Sequence, residues 1–280
     1  MRLVRLLRRR APGPLHVSAW SGLANLYRYL GRYPEADGWF REALALSIEV
    51  HGGKSDQTRA LLNDWAVLHK YQGRFAVGAR LYRRALKLAI EAVGEEHPEV
   101  ATLYHNMGGL EHARGRYAEG EPFARKAVEI RTRALGAAHP LVAEDAAALA
   151  AILVELQRYD EAGRLYRRAL ATFRKACGPE NYDVAVTLNN LAALHFATGR
   201  LSTAARHYQQ ALAMKEKLLG PAHVDVAMTL NNLAVLLKTR GDWDAAARLY
   251  ERALAIFTAA LPPQHPKVIQ CRKNFARLRR

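Results

Sequence analysis

Four histidines, His97, His139, His223 and His265, recur along the chain in the manner of metal ligands. Their column also holds Ser55 and Asn181, two side chains whose oxygen commonly caps a helix N-terminus by accepting from an orphan amide. Replacement by cap formers predicts a capping role for the histidines. His105 and His112 are seven residues apart, roughly 10.5 Å along a helix axis, too far to chelate one metal ion. His69 and His195 fall in an aromatic column and are expected to pack against the core. Gly52-Gly53-Lys54-Ser55 resembles the end of a phosphate-binding loop, but Ile48 stands where the earlier glycine must be and a helix precedes it instead of a strand. Neither a Gly-x-Ser-x-Gly elbow nor a His-Glu-x-x-His pair occurs, and Cys177 and Cys271 share no ligand spacing. A non-catalytic protein without cofactor or metal is expected.

The elements that carry these residues repeat. Gly31, Gly73, Gly115, Gly199 and Gly241 stand 42 or 84 residues apart, with Gln157 in the vacant slot, and Ala43, Ala85, Ala127, Ala169, Ala211 and Ala253 form an unbroken column. Six units are present. In the fifth, Val184, Leu188, Leu191, Ala192 and His195 make one apolar stripe, Gly199-Arg200 interrupts it, and Ala204, Tyr208, Ala211 and Leu212 make another. Gly52, Gly94, Gly136, Gly178 and Gly220 stop the second stripe, and Pro98, Pro140 and Pro266 suit the first position of the next helix. No strand-like alternation appears, so each unit reads as two helices and the fold as all-α.

Leu188-x-x-Leu191-Ala192-x-x-His195 followed by Ala204-x-x-x-Tyr208-x-x-Ala211 resembles the tetratricopeptide repeat. The 42-residue period, the strings Thr187-Leu188-Asn189-Asn190-Leu191-Ala192 and Thr229-Leu230-Asn231-Asn232-Leu233-Ala234, and the linker Leu135-Gly136-Ala137-Ala138-His139-Pro140 are similar to the kinesin light chain subtype. The resemblance implies a right-handed α-solenoid of about six helix-turn-helix repeats over residues 14–266, preceded by a basic segment, 1–13, and closed by a C-terminal capping helix, 267–280. Gln157 departs from the pattern at the turn glycine, Ala124 at the aromatic wedge, and Leu201 at a turn position held elsewhere by Tyr33, Phe75, Tyr117, Tyr159 and Trp243. No heptad run precedes the repeats, so a motor-chain role is not implied.

The resemblance also implies a function: a scaffold that binds a protein or an extended peptide in a concave groove lined by the first helix of each unit. The inward residues would be those two before, two after and five after the Leu191-type position. The first column is Ser21, Asn63, His105, Ala147, Asn189 and Asn231, whose amides could grip a peptide backbone. The second, Asn25, Val67, Gly109, Ala151, Ala193 and Val235, is mostly small. The third, Arg28, Lys70, His112, Val154, Phe196 and Lys238, is basic toward both ends and apolar in the middle, with Tyr29 and Tyr71 beside the first pair. A ligand with a hydrophobic anchor and acidic flanks is expected there.

Charge offers an alternative. The chain of 280 residues has 42 Lys and Arg against 26 Asp and Glu, a net charge of +16. Many cations fall on the second helices: Arg80, Arg83 and Arg84; Arg125 and Lys126; Arg164, Arg167 and Arg168; Arg206; Arg248 and Arg252. Such a ridge would bind nucleic acid or another acidic surface by releasing counterions, although no recognition motif accompanies it. Two cysteines point to a reducing, cytoplasmic setting, with the arginine-rich Met1 to Arg10 raising mitochondrial targeting as the competing reading. That same segment also reads, in preference to targeting, as the remnant of a preceding second helix, Leu6 falling in the column of Ile48 and Ile90. The longest apolar run, Ala146 to Val154, is too short for a membrane span.

Overall fold

The computed structural model describes residues 13–278, so the two readings of Met1 to Arg10 lie outside the described residues. These residues fall into two compact units divided between Ala134 and Leu135. The first carries α1 (Pro14–Tyr29), α2 (Tyr33–His51), α3 (Asp56–Tyr71), α4 (Phe75–Val93), α5 (Pro98–Ala113) and α6 (Tyr117–Leu135), which ends at the division. The second carries α7 (Pro140–Glu155), α8 (Tyr159–Cys177), α9 (Tyr182–Ala197), α10 (Leu201–Leu219), α11 (Val224–Thr239), α12 (Trp243–Ala260) and α13 (Pro266–Ala276). No strand occurs among the described residues.

Each complete first helix has 16 residues, and the second helices have 18 or 19. The boundaries follow from local chemistry. At the turn inside each repeat the chain bends back with a left-handed residue, and the next amide bonds to a carbonyl five residues earlier, as in Arg74 N to His69 O at 2.9 Å and Arg200 N to His195 O at 2.8 Å. Glycine supplies that conformation in five repeats, whereas Gln157 adopts it at φ 59°, the one non-glycine residue with positive φ among the described residues. The turn geometry therefore survives the substitution, at the cost of a side chain held in a region it disfavours. At the other end of each repeat the histidine column caps the following helix: Nδ1 of His97, His139, His223 and His265 accepts from the amide two residues on, at 3.1–3.2 Å. Ser55 and Asn181 do the same from three residues away, at 3.2 and 3.0 Å. The capping role is thus the structural one, and Gly52-Gly53-Lys54-Ser55 is a helix stop followed by a cap.

Within each unit, every first helix packs on the second helix of its own repeat and of the previous one, while first helices also touch one another: α1 with α3, α3 with α5, α7 with α9, α9 with α11, and α11 with α13. Small residues let the backbones approach, as at Ala24, Ala66, Ala192 and Ala234, all fully buried. Phe40 and Tyr82 in the first unit and Tyr166, Tyr208 and Tyr250 in the second then fill the space between repeats. Full burial of a side chain of this size contributes roughly 1.5–3 kcal/mol.

Where Ala124 replaces the wedge aromatic, the helix pair closes up. A Cβ placed on Gly108 would lie 3.2 Å from Ala124 N and 3.3 Å from Gly120 O, and one on Gly120 would lie 3.1 Å from Gly108 O. Two glycines thus bring α5 and α6 into direct backbone contact at positions where the other repeats carry alanine, or glycine at Gly78. Leu201 starts α10 and is half-buried, so its repeat also keeps its form. The capping helix begins at Pro266, with Val268 and Cys271 buried and Phe275 and Leu278 packed partly against the α11–α12 core.

Candidate functional site

Taken column by column, the expected groove residues sit on the exposed side of the first helices, half-buried or more open, while the intervening residues form the core. This follows from the helical period. With Leu191, Ala192, Leu194 and His195 turned inward, Asn189, Ala193 and Phe196 are left on the opposite edge.

In the first unit, Asn25, Arg28, Tyr29, Asn63, Lys70, Tyr71, His105 and His112 share the face of α1, α3 and α5. A chain of hydrogen bonds joins three of them. The Arg28 guanidinium donates to Asn25 Oδ1 at 3.0 and 3.1 Å, and Asn25 Nδ2 donates to Asp64 Oδ2 at 2.9 Å. Asn106 Nδ2 donates to Asn63 Oδ1 at 2.7 Å. Arg28 and Lys70 approach the Tyr71 ring, at 5.7 and 5.6 Å from its centroid, and Tyr71 is itself 45% exposed. Burial, then the nearby Arg28 charge, pushes the Lys70 ammonium below its ordinary pKa. Lys70 thus combines partial burial with a like charge beside it. Tyr29 is exposed, and His112 packs edge-on against Tyr117 at 5.3 Å. A cleft lies on the same face between α3 and α5. Ala60 and Leu103 line it together with Asn63, Thr102, Gln57 and the buried Arg59, and the carboxylates of Asp56 and Glu99 stand at the same cleft. Glu99 holds Arg59 through two contacts, at 2.6 and 2.9 Å.

In the second unit, Asn189, Asn231, Phe196 and Lys238 occupy the corresponding face of α9 and α11. Asn232 Nδ2 donates to Asn189 Oδ1 at 3.4 Å, and Asn274 Nδ2 donates to Asn231 Oδ1 at 3.0 Å. Asn63, Asn189 and Asn231 are thus linked to the next repeat by an amide ladder, which gives the asparagine column a packing reason that its periodicity did not reveal. The ladder's donors, Asn106, Asn232 and Asn274, are the residues that sequence reasoning missed. Each pair is separated by 43 residues, one more than the period, and that offset was the available signal. Lys238 Nζ donates to the Arg277 carbonyl at 2.5 Å, so this cation is engaged by the end of α13. Phe196 is half-buried and packs partly against the α10–α11 core, while Ala147, Ala151 and Val154 are half-buried on α7.

The remaining polar groups are distributed differently. His69 and His195 are buried as expected. His69 stacks obliquely on Trp65 and lies 3.5 Å from Asp37, which also accepts from the Trp65 indole N–H at 2.8 Å and pairs with Arg41 at 3.0 Å. His195 faces His207 across 5.2 Å, and burial followed by Arg200, His207, Arg167 and Arg206 drives its pKa down to about 4. On the second helices Arg80, Arg83, Arg84, Arg164, Arg167, Arg168, Arg206, Arg248 and Arg252 are exposed, whereas Arg125 and Lys126 are half-buried and paired with Glu121 and Glu129. Arg252 reaches Glu216 at 2.6 Å. Among the described residues no group of three metal-ligating side chains converges, and no helix is long and apolar enough to cross a membrane.

The chain matches the family model for the tetratricopeptide repeat in overlapping segments, 15–91, 57–119, 99–156, 144–217, 183–259 and 225–280. No curated protein matches it. Among solved structures it is similar to BtubC (BKLC) from P. vanneervenii, at 25% identity over 84% of this chain and 91% of that one, with a TM-score of 0.61. It is also similar to a putative kinesin light chain from Podospora anserina with nearly identical TPR-like repeats, at 21% identity, TM-score 0.54, covering 70% of this chain and 92% of that one. A Rap protein complexed with Competence and Sporulation Factor shares the fold at 13% identity, with a TM-score of 0.62 over 94% of this chain and 87% of that one.

Proposed function

This chain belongs to the tetratricopeptide repeat family, and we propose that it is a protein-interaction scaffold whose first-helix faces bind an extended peptide with acidic residues flanking an apolar anchor. One observation carries the acidic preference: Arg28 and Lys70 gathered about the exposed Tyr71 ring, with Asp64 already engaged by Asn25. A peptide carboxylate beside Lys70 would supply the counter-charge that this half-buried ammonium lacks, and charge-assisted contacts of that kind are about twice as strong as neutral ones. The apolar anchor finds support in the α3–α5 cleft over Ala60 and Leu103. The Rap protein is solved in complex with Competence and Sporulation Factor, so a fold of this kind accommodates a bound factor.

The amide ladder changes how the reading is tested. Replacing Asn189 or Asn231 by Ala would strip a hydrogen-bond acceptor from the next repeat, so any loss of binding would mix with loss of stability. Lys70→Met separates the two. It removes a charge whose burial is unfavourable, so thermal stability should hold or rise. Affinity for acidic peptides from a library, read by fluorescence anisotropy, should fall about tenfold, or 1.4 kcal/mol. Acidic peptides that bind the variant as tightly as the parent would refute the assignment.

A further inference from the structure

The second unit contains a cluster of positive charge that the peptide reading does not use. His195 on α9 and His207 on α10 face each other, and Nδ1 of each is buried without a hydrogen-bond partner. Around them stand Arg167 and Arg174 of α8, Arg200 of the α9–α10 turn and Arg206 of α10, all with exposed side chains. Arg167 folds back along α8, its Nη1 lying 3.2 Å from where a Cβ on Gly163 would sit, with Leu194 of α9 beside the same point. None of the four guanidiniums forms an ion pair with a carboxylate among the described residues, and Arg200 instead donates to Thr198 Oγ1 at 3.1 Å.

The matching place in the first unit is built differently. There Glu111 occupies the slot of His195, Glu119 that of Thr203 and Phe123 that of His207. Arg80, Arg83, Arg114 and Arg116 line that cleft together with the two carboxylates, Arg116 meeting Glu119 at 3.1 Å and Arg114 lying 3.8 Å from Glu111. The first unit thus carries internal counter-charge where the second carries two imidazoles.

We propose that the α8–α9–α10 face of the second unit is a binding site for a phosphate dianion, held by Arg167, Arg174, Arg200 and Arg206 over the His195–His207 pair. A tetrahedral dianion offers several acceptor oxygens at one point, and guanidinium forks match that geometry. It also places negative charge beside the His195–His207 pair, whose buried Nδ1 atoms lack a partner. In the first unit Ile90 and Pro122 stand where Arg174 and Arg206 do here, and Arg116, the counterpart of Arg200, is already paired with Glu119, so the set of four is not repeated there, which favours one doubly charged group over a run of singly charged diesters. Burial, reinforced by the surrounding arginines, holds His195 neutral, and His207 is lowered the same way, so a bound dianion should raise both pKa values. Free phosphate and the phosphorylated side chain of a partner share this chemistry.

The test uses the full chain in imidazole nitrogen–proton NMR, titrating inorganic phosphate at constant ionic strength against chloride. The expected result is saturable shifts at His195 and His207 with His69 and His265 unmoved, and a phosphate-dependent rise in Tm, since a ligand that binds only the folded state stabilises it. Arg200→Gln combined with Arg206→Gln, both exposed and therefore expected to fold, should weaken phosphate at least about tenfold. A singly phosphorylated serine peptide binding more tightly than inorganic phosphate would assign the site to a partner's phosphoryl group, and equal affinity would assign it to free phosphate. Unsaturable shifts at every histidine, undiminished binding by the double variant, or a response to homopolymeric RNA with none to inorganic phosphate would overturn the proposal.

Discussion

Replacing His195 by Leu should flatten the acid side of the protein's stability profile. The imidazole is 9% exposed, and burial followed by Arg200, His207, Arg167 and Arg206 lowers its pKa from 6.5 to about 4. The sign follows from proton counting. Above 6.5 the ring is neutral in both states and contributes no pH dependence. Between 6.5 and about 4 the unfolded chain takes up a proton that the folded chain refuses, so stability falls as pH falls through that window. The slope is about 1.4 kcal/mol per pH unit, giving roughly 2 kcal/mol lost by about pH 5 and about 3 by pH 4. His69, His207 and His265 are lowered too and add to the parent's slope, so the informative quantity is the difference between parent and variant. Leucine already fills this column at Leu153 and Leu237, which makes His195→Leu a tolerable change in shape. Urea unfolding followed by far-ultraviolet circular dichroism, at several pH values from about 7 to 4.5, measures it. If the variant loses stability as steeply as the parent below pH 6.5, the charge environment assigned to His195 is wrong.

Two local predictions accompany this one. Gln157→Gly should raise stability, because the residue's φ of 59° favours glycine; a left-handed non-glycine residue costs about 1–2 kcal/mol, partly offset by glycine's greater freedom when unfolded, leaving a net gain of about 0.5–1 kcal/mol in urea unfolding. His139→Ala should cost about 1 kcal/mol by removing the cap on Leu141 N, whereas His139→Asn should recover most of it, and equal losses from both substitutions in thermal melts would refute the capping assignment.

What the sequence by itself determined is whatever repeats within one helix or turn. The glycine columns, the cap column and the alanine column each report a local requirement: a left-handed turn, an orphan amide, a close helix crossing. These can be read without knowing how repeats meet, because each is satisfied a few residues away. That is why the helices, the structural role of the histidines and the exposed side of the first helices were all legible. The columns could not show which side chains meet across repeats, because that depends on the offset with which one helix pair stacks on the next. Only the tertiary structure paired Asn63 with Asn106, Asn189 with Asn232 and Asn231 with Asn274, turning an asparagine column that looked free for ligand into one partly spent on the fold. It likewise tied Lys238 to the end of α13 and brought Arg28 and Lys70 to one tyrosine. Charge shows the same division. The net +16 was evident from composition, but the contrast between arginines neutralised by Glu111 and Glu119 and arginines gathered around His195 and His207 exists only once helices from neighbouring repeats are packed together, because an unmatched charge is defined by what stands beside it in space.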